Sequence, residues 1–304
     1  MLQNQQQMYR DASSKIQDIL TEWARENDGV IKEYDRNHFE ELMNKNAVFS
    51  NPITLQGTCC FVSDAHFRTP TDTASEERES RLISLLKDSQ DKIQHLFLLG
   101  DIFDFWFEYD DVVPKGYFRF FNTLYELRQK GVEIYFFTGN HDMWVQDYFA
   151  TRFGCRIFYQ QQAFIINGKR CLIGHGDGLG GKQYGYLVIK SIFGFKPNRI
   201  LYSMLHPYQA FAIARACSRK SRKSHPADVA VFQNENEPQI QYARQVLQNE
   251  PVDYFIYAHR HIPMTYELSD NATYFNTGDW LQNFSYLFFE KNRPELRYYH
   301  SNNL

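Results

Sequence analysis

The sequence has no run approaching the ~18 apolar residues of a membrane-spanning helix. Its first residues, Met1-Leu2-Gln3-Asn4-Gln5-Gln6-Gln7, lack a basic region followed by an apolar core, so no signal peptide is expected. Cysteine is scarce: Cys59, Cys60, Cys155, Cys171 and Cys217 make an odd set without metal-type spacing. That argues against a thiolate zinc site and a disulfide framework, and for a reducing compartment. The formal net charge of −3 lacks the basic excess that a polyanion partner would call for. There is no internal repeat or low-complexity tract, and no convincing linker within 58–304. Acids are missing altogether between Asp177 and Asp228. What remains is 304 residues with 43% hydrophobic and 16% aromatic content, enough for a sizeable core.

Residues 1–57 are polar and read as an N-terminal helical extension. Ile16, Ile19, Leu20 and Trp23 recur at helical spacing, as do Phe39, Leu42 and Met43. From 58 onward short apolar runs alternate with amphipathic stretches. Cys59-Cys60-Phe61-Val62, His95 to Leu99 and Val132 to Phe137 read as buried strands. Helices are expected over Glu76–Asp91 and Tyr117–Lys130, the second closed by Gly131. This alternation predicts βαβ units and a parallel sheet. The periodicity then changes. Arg156–Ile166 and Arg170–Ile173 flank the turn signal Asn167-Gly168 and predict a hairpin. Val252–Tyr257 is a further apolar strand; Thr273–Trp280, Ser285–Glu290 and Glu295–His300 read as closing antiparallel strands.

The apolar strands share one design: each ends in polar, metal-capable residues. The ends carry Asp64 and His66, Asp101, Asn140, His175, and His259 with His261. Taken singly, each has a bland reading; Asp101 could cap a helix, and Asp64-x-His66 could be a structural pair. Their recurrence at five strand ends argues for a ligand set, at the sheet edge where open α/β folds bind ligands. Oxygen and imidazole donors without thiolate suit Mn, Fe or Zn. Seven donors are too many for one ion and suit two, bridged by a carboxylate such as Asp101.

The blocks Asp64-x-His66, Gly100-Asp101-x-x-Asp104, Gly139-Asn140-His141-Asp142, Gly174-His175 and His259-x-His261 resemble those of the calcineurin-like metallophosphoesterases, in the same order. Ala258 stands where Gly usually precedes the last His-x-His. The resemblance implies an α/β (α+β) fold: two mixed β-sheets packed as a sandwich flanked by helices. It implies that Asp64, His66, Asp101 and His261 hold one divalent ion, and Asp101, Asn140, His175 and His259 the other, with Mn the first choice. It makes His141 and Asp142 the catalytic residues: His141 beside the phosphate, oriented by Asp142. Phe103-Asp104-Phe105-Trp106, Gly139 to Trp144, His175-Gly176-Asp177-Gly178 and Gly278-Asp279-Trp280 are similar to the UDP-2,3-diacylglucosamine pyrophosphatases of lipid A synthesis. Many members of that family have Arg at the place of His141. The resemblance does not extend to residues 1–57.

The acid-free stretch falls in a helical insert, about 180–228, within the 58–304 domain. It mixes large apolar residues with Lys182, Lys190, Lys196, Arg199, Arg215, Arg219, Lys220, Arg222 and Lys223. Basic and apolar residues on helical segments suit an anionic membrane surface, or a substrate with a diphosphate head and acyl tails. The insert is expected to form a lid, with Lys182, Lys190, Arg219 and Arg222 as substrate-binding residues. A plain helical cap is the rival, and the apolar content argues against nucleic acid. The expected protein is a cytoplasmic dimetal pyrophosphohydrolase acting on a lipid-linked nucleotide diphosphate, peripheral on the inner face of the membrane. The alternatives are a phosphoprotein phosphatase or nuclease of the same superfamily, and a non-catalytic scaffold.

Overall fold

Strands β1 (Ile53–Leu55), β2 (Cys59–Val62), β3 (His95–Leu99), β4 (Glu133–Phe137) and β5 (Arg156–Phe158) come first, with helices α1 (Thr73–Ser89), α2 (Phe118–Gln129) and α3 (Tyr148–Phe153) between them. There follow β6 (Gln162–Ile166), β7 (Lys169–Ile173), α4 (Pro238–Leu247), β8 (Tyr254–Tyr257), β9 (Met264–Ser269), β10 (Ala272–Asn276), β11 (Ser285–Glu290) and β12 (Arg293–Tyr298). The computed structural model describes residues 48–49, 51–69, 72–109, 112–180, 201–214 and 232–300. The helices expected in the N-terminal extension, Cys217 and the proposed contacts Lys182, Lys190, Arg219 and Arg222 lie outside the described residues.

The strands form two six-stranded mixed sheets, ordered β1-β6-β7-β8-β10-β9 and β12-β11-β2-β3-β4-β5. In the second, β2, β3, β4 and β5 run parallel, and β11 joins β2 antiparallel. The sandwich follows from side-chain alternation along these strands. Cys59, Phe61, Phe97, Leu99, Tyr135 and Phe137 join Phe164, Ile166, Cys171, Ile173, Ile256 and Phe275 of the first sheet in one buried cluster. Their neighbours Cys60, Val62, Leu96, Leu98, Ile134 and Phe136 face the other way, onto Leu82, Leu86, Phe120, Leu124 and Phe149 of the helices. Strands covered on both faces read as continuous apolar runs, which is why they are visible in the sequence.

Local signals agree with this. Asp72 caps α1 by accepting from Ser75 N at 2.8 Å. Asn167 (φ 50°) and Gly168 (φ 82°) both take the positive φ that a two-residue β6–β7 turn requires.

Three expectations need correction. Arg156–Ile166 is not one strand: β5 pairs in the second sheet and β6 in the first, the polar Gln160-Gln161-Gln162 stretch breaking the run. Thr273–Asn276 is antiparallel to β9 but parallel to β8. Ile53–Leu55 falls on the N-terminal side of the expected 57/58 boundary, yet pairs in parallel with β6 as an edge strand.

Candidate active site

The candidate residues gather because four strands end in step. Asp64, Asp101, His175 and His259 are each the second residue past β2, β3, β7 and β8, and Asn140 is the third past β4. Beyond the strands the ladder continues into the loops: Asp64 N donates to Gly100 O at 3.1 Å, His66 N to Asp101 O at 3.0 Å and Ala258 N to His175 O at 2.9 Å. Asp64, His66, Asp101, His259 and His261 all have positive φ, between 45° and 71°. Non-glycine residues in this region are uncommon and are concentrated where the surrounding structure enforces a functional geometry. Gly100, at φ +84°, has no room for a Cβ, which would lie 2.7 Å from both Gly139 N and His175 Nδ1.

Asp101 is at the centre. Its Oδ1 accepts from His141 N at 2.8 Å. Its Oδ2 is 3.5 Å from His175 Nε2 and 3.8 Å from His66 Nε2. On one side, Asp64 Oδ1 is 3.2 Å from His261 Nε2 and 3.9 Å from His66 Nε2. On the other, His175 Nε2 lies 3.4 Å from Asn140 Oδ1, and the His175 and His259 rings are 5.1 Å apart. Three sets have donor atoms within 4.8 Å of one another: Asp64, His66 and His261; His66, Asp101 and His141; and Asp101, His175 and His259. Asp101 belongs to two of them.

These residues fit metal ions. Asp64 Oδ1, both ring nitrogens of His66 and His261 Nδ1 are buried without a hydrogen-bond partner, a costly state that a cation relieves. The protonation pattern agrees. Burial works to raise Asp101, but the imidazoles of His175, His141 and His66 outweigh it and hold its carboxyl well below the usual range. Burial and the neighbouring His175 push His259 down to about 3, and burial lowers His66 and His261, so these rings are neutral and able to ligate. Burial raises Asp64 to about 6. His175 Nδ1 donates to Leu99 O at 2.7 Å, which fixes the tautomer and turns Nε2 toward Asp101.

His141 sits edge-on to His66, ring centroids 4.8 Å apart. Asp142 does not orient it. Its carboxylate is taken by two backbone donors, Gly139 N at 2.7 Å and Ile102 N at 2.9 Å. The partner of the His141 ring is the Asp104 backbone carbonyl, which accepts from Nδ1 at 2.9 Å. Burial disfavours a charge on His141, but Asp101 and Asp104 outweigh it and raise its pKa. Two more carboxylates approach candidate ligands from behind: Asp104 Oδ1 is 3.7 Å from His66 Nδ1, and Asp279 Oδ2 is 3.9 Å from His261 Nδ1. Buried Arg78 of α1 donates to the carbonyls of Ala65 and His66. No sequence signal marks Arg78, which sits among charged residues of an amphipathic helix.

The described part of the insert, helical over 201–203 and 207–214, docks beside the Asp101–Asp104 loop. Tyr202 packs on Phe107 and Trp144, with ring centroids 4.7 and 4.8 Å apart, and Phe211 packs on Phe105 at 5.4 Å. Leu201, Met204 and Tyr208 of the same segment are more than 60% exposed. No helix among the described residues is long and apolar enough to cross a membrane.

The sandwich with a His/Asp cluster at its strand ends matches a family model, the calcineurin-like phosphoesterases, over residues 58–263. The chain belongs to this family of metal-dependent hydrolases acting on phosphoesters and phosphoanhydrides, and its cluster is suited to two ions. It is 32% identical to the UDP-2,3-diacylglucosamine hydrolase of Porphyromonas gingivalis over 243 residues, 74% of this chain and 91% of that protein. It is 28% identical to the protein of the same name from Aeromonas salmonicida over 232 residues, 75% of this chain and 87% of that one. Among solved structures, Yfce, a phosphoesterase from E. coli, is similar with a TM-score of 0.37 and 17% identity, covering 77% of this chain and 88% of its own.

Proposed function

We propose that this chain hydrolyses the diphosphate of UDP-2,3-diacylglucosamine, giving 2,3-diacylglucosamine 1-phosphate and UMP. The reading rests on one conjunction: a site suited to two ions lies beside an insert that presents large apolar side chains. The names of the relatives support the same substrate.

Asp64, His66, Asp101 and His261 would hold one ion, and Asp101, Asn140, His175 and His259 the other, with Mn favoured by the oxygen and imidazole donors. When bound, such ions supply Lewis acidity to the phosphoryl oxygens and activate water. The reaction adds water across the P–O–P link: oxygen joins one phosphorus, and the departing phosphate takes up a proton. His141 is placed to stabilise the developing charge or to supply that proton. Asp104 O engages its Nδ1–H and leaves Nε2 for the substrate, while Asp101 and Asp104 favour its protonated form. Asp142 acts one step back, bonding the backbone of the loop that carries Asn140 and His141. Lys182, Lys190, Arg219 and Arg222 are proposed to meet the diphosphate. Leu201, Met204 and Tyr208 are proposed to meet acyl chains or the cytoplasmic face of the membrane, where the protein would be peripheral.

Purified protein with Mn, given UDP-2,3-diacylglucosamine and separately a simple phosphomonoester, should release UMP from the first and turn over the second poorly. Efficient monoester hydrolysis with an intact lipid substrate contradicts the reading. Met204→Asp with Tyr208→Asp should lower kcat/KM for the lipid substrate about tenfold, as loss of about 1.5 kcal/mol of apolar contact implies. The same pair should leave a small soluble phosphodiester unaffected; equal loss on both substrates would make the segment structural.

A further inference from the structure

Gln239 touches none of the candidate ligands, yet it stands where two of their loops meet. It is the second residue of α4 and is 1% exposed. Its amide nitrogen donates to Gly176 O at 2.9 Å and to Ala258 O at 3.1 Å. Gly176 directly follows His175, and Ala258 directly precedes His259. Its Oε1 accepts from Tyr274 OH at 2.6 Å and from Asn276 Nδ2 at 3.3 Å. A primary amide has two N–H donors, and here each serves one ligand loop while the oxygen is anchored to β10.

The surroundings are shaped to this amide. A Cβ on Gly176, which has φ +97°, would lie 2.2 Å from Gln239 Nε2. Asn276 Nδ2 adds a bond to Ala258 O at 2.8 Å, and its Oδ1 accepts from Gly278 N at 3.0 Å. Backbone bonds carry the β7–β8 ladder a little way into the loops, Gly174 N donating to Ile256 O at 3.2 Å and Ala258 N to His175 O at 2.9 Å, and the Gln239 amide adds a side-chain tie across the same two loops.

We infer that Gln239 is a positioning residue that sets the separation of the His175 and His259 rings. It thereby sets the affinity of the ion proposed at Asp101, Asn140, His175 and His259. The inference rests on the two-ion reading of the site. The half built on Asp64 and His66 has its own clamp in Arg78 and is reached from Gln239 only through His261, three residues past Ala258, so Gln239 acts mainly on the ion of His175 and His259.

The test uses the full chain, stripped of metal and titrated with Mn, with binding followed calorimetrically and by Mn paramagnetic resonance. Wild-type protein should take up two ions. Gln239→Glu places a carboxylate oxygen against two carbonyls, and Gln239→Met removes both donors. Each should weaken one ion by ~10–100-fold, the range for loss of a group that orients a metal ligand, and affect the other much less. Excess Mn should restore kcat. Should both variants fail to fold, Tyr274→Phe removes the hydroxyl that donates to Gln239 Oε1 and accepts from Asn276 Nδ2, leaves the Gln239 amide in place, and should give a smaller shift in the same ion. Folded variants that bind both ions as wild type does, or weaken both equally, overturn the inference. Wild-type protein that takes up fewer than two ions would instead overturn the two-ion reading, and the inference with it.

Discussion

The two sheets furnish unlike halves of the site. The β12-β11-β2-β3-β4-β5 sheet contributes both carboxylates, Asp64 and Asp101, with the amide of Asn140 and the imidazole of His66. The other sheet contributes only imidazoles: His175, His259 and His261. An anionic edge therefore faces a basic one across the end of the sandwich. The difference accounts for the protonation pattern. Asp101 keeps its charge although buried because imidazoles surround it. His175 shows the reverse: burial opposes its charge, but Asp101 and Asp64 hold its pKa up at about 10. Cations bound at His175 would replace that proton, and Asp101 would meet them already ionised. An all-carboxylate edge would repel itself, and an all-imidazole one would leave two cations unneutralised.

The largest break in this comparison should come from Asp101, which both halves share. Asp101→Ala should lose both ions, and turnover should fall to background. It also removes the main group that holds the His175 proton, so this ring should become neutral and the metal-free protein should be less stable in denaturant unfolding. A variant that keeps two ions and normal turnover would remove Asp101 from the centre of the site.

His141 lies on the anionic side, yet its proposed role is toward substrate. His141→Ala should keep both ions and lower kcat by ~10²–10⁴-fold. Metal analysis alongside turnover decides the point. Because His66, Asp101 and His141 also form a metal-capable set, loss of an ion would make His141 a ligand.

The smallest effect is in pH dependence. His175 is protonated at neutral pH in the metal-free protein, so Mn uptake at pH 8 should release about one proton per site. Calorimetry in two buffers of different ionisation enthalpy measures this. Below about pH 6 Asp64 also takes up a proton, and Mn binding should weaken further. The sign for stability follows from the upward shift of His175 from 6.5. Its contribution is complete below pH 6.5 and is lost as pH rises through about 10. Metal-free protein should therefore unfold more readily above pH 10 than at neutral pH, by a margin reduced in His175→Gln. An equal margin in that variant, or Mn binding without proton release, would show that His175 is neutral.

The sequence disclosed these halves unequally. β2, β3 and β4 are covered by the second sheet on one face and by helices on the other, so they stand out as apolar runs, with their ligands at fixed offsets beyond them. β9 was missed because its residues alternate between half-buried and exposed at a sheet edge. The split of Arg156–Ile166 between two sheets was hidden because pairing partners lie far away in the chain. Ligand types and spacing were legible, whereas the groups that hold them were not. Arg78 and Gln239 are polar residues on helices, and nothing in their spacing marks them as bonded to ligand loops. Asp142 looked like the natural partner of its neighbour His141, but the tight loop turns its carboxylate onto backbone donors and gives the ring a carbonyl instead.

Anomalous X-ray scattering from crystals grown with Mn would test the joining of the two edges most directly. Two peaks are predicted ~3.5–4 Å apart, with Asp101 between them. One should lie against Asp64, His66 and His261, and the other against Asn140, His175 and His259. A single peak held by one sheet's residues, or peaks away from Asp101, would contradict the account.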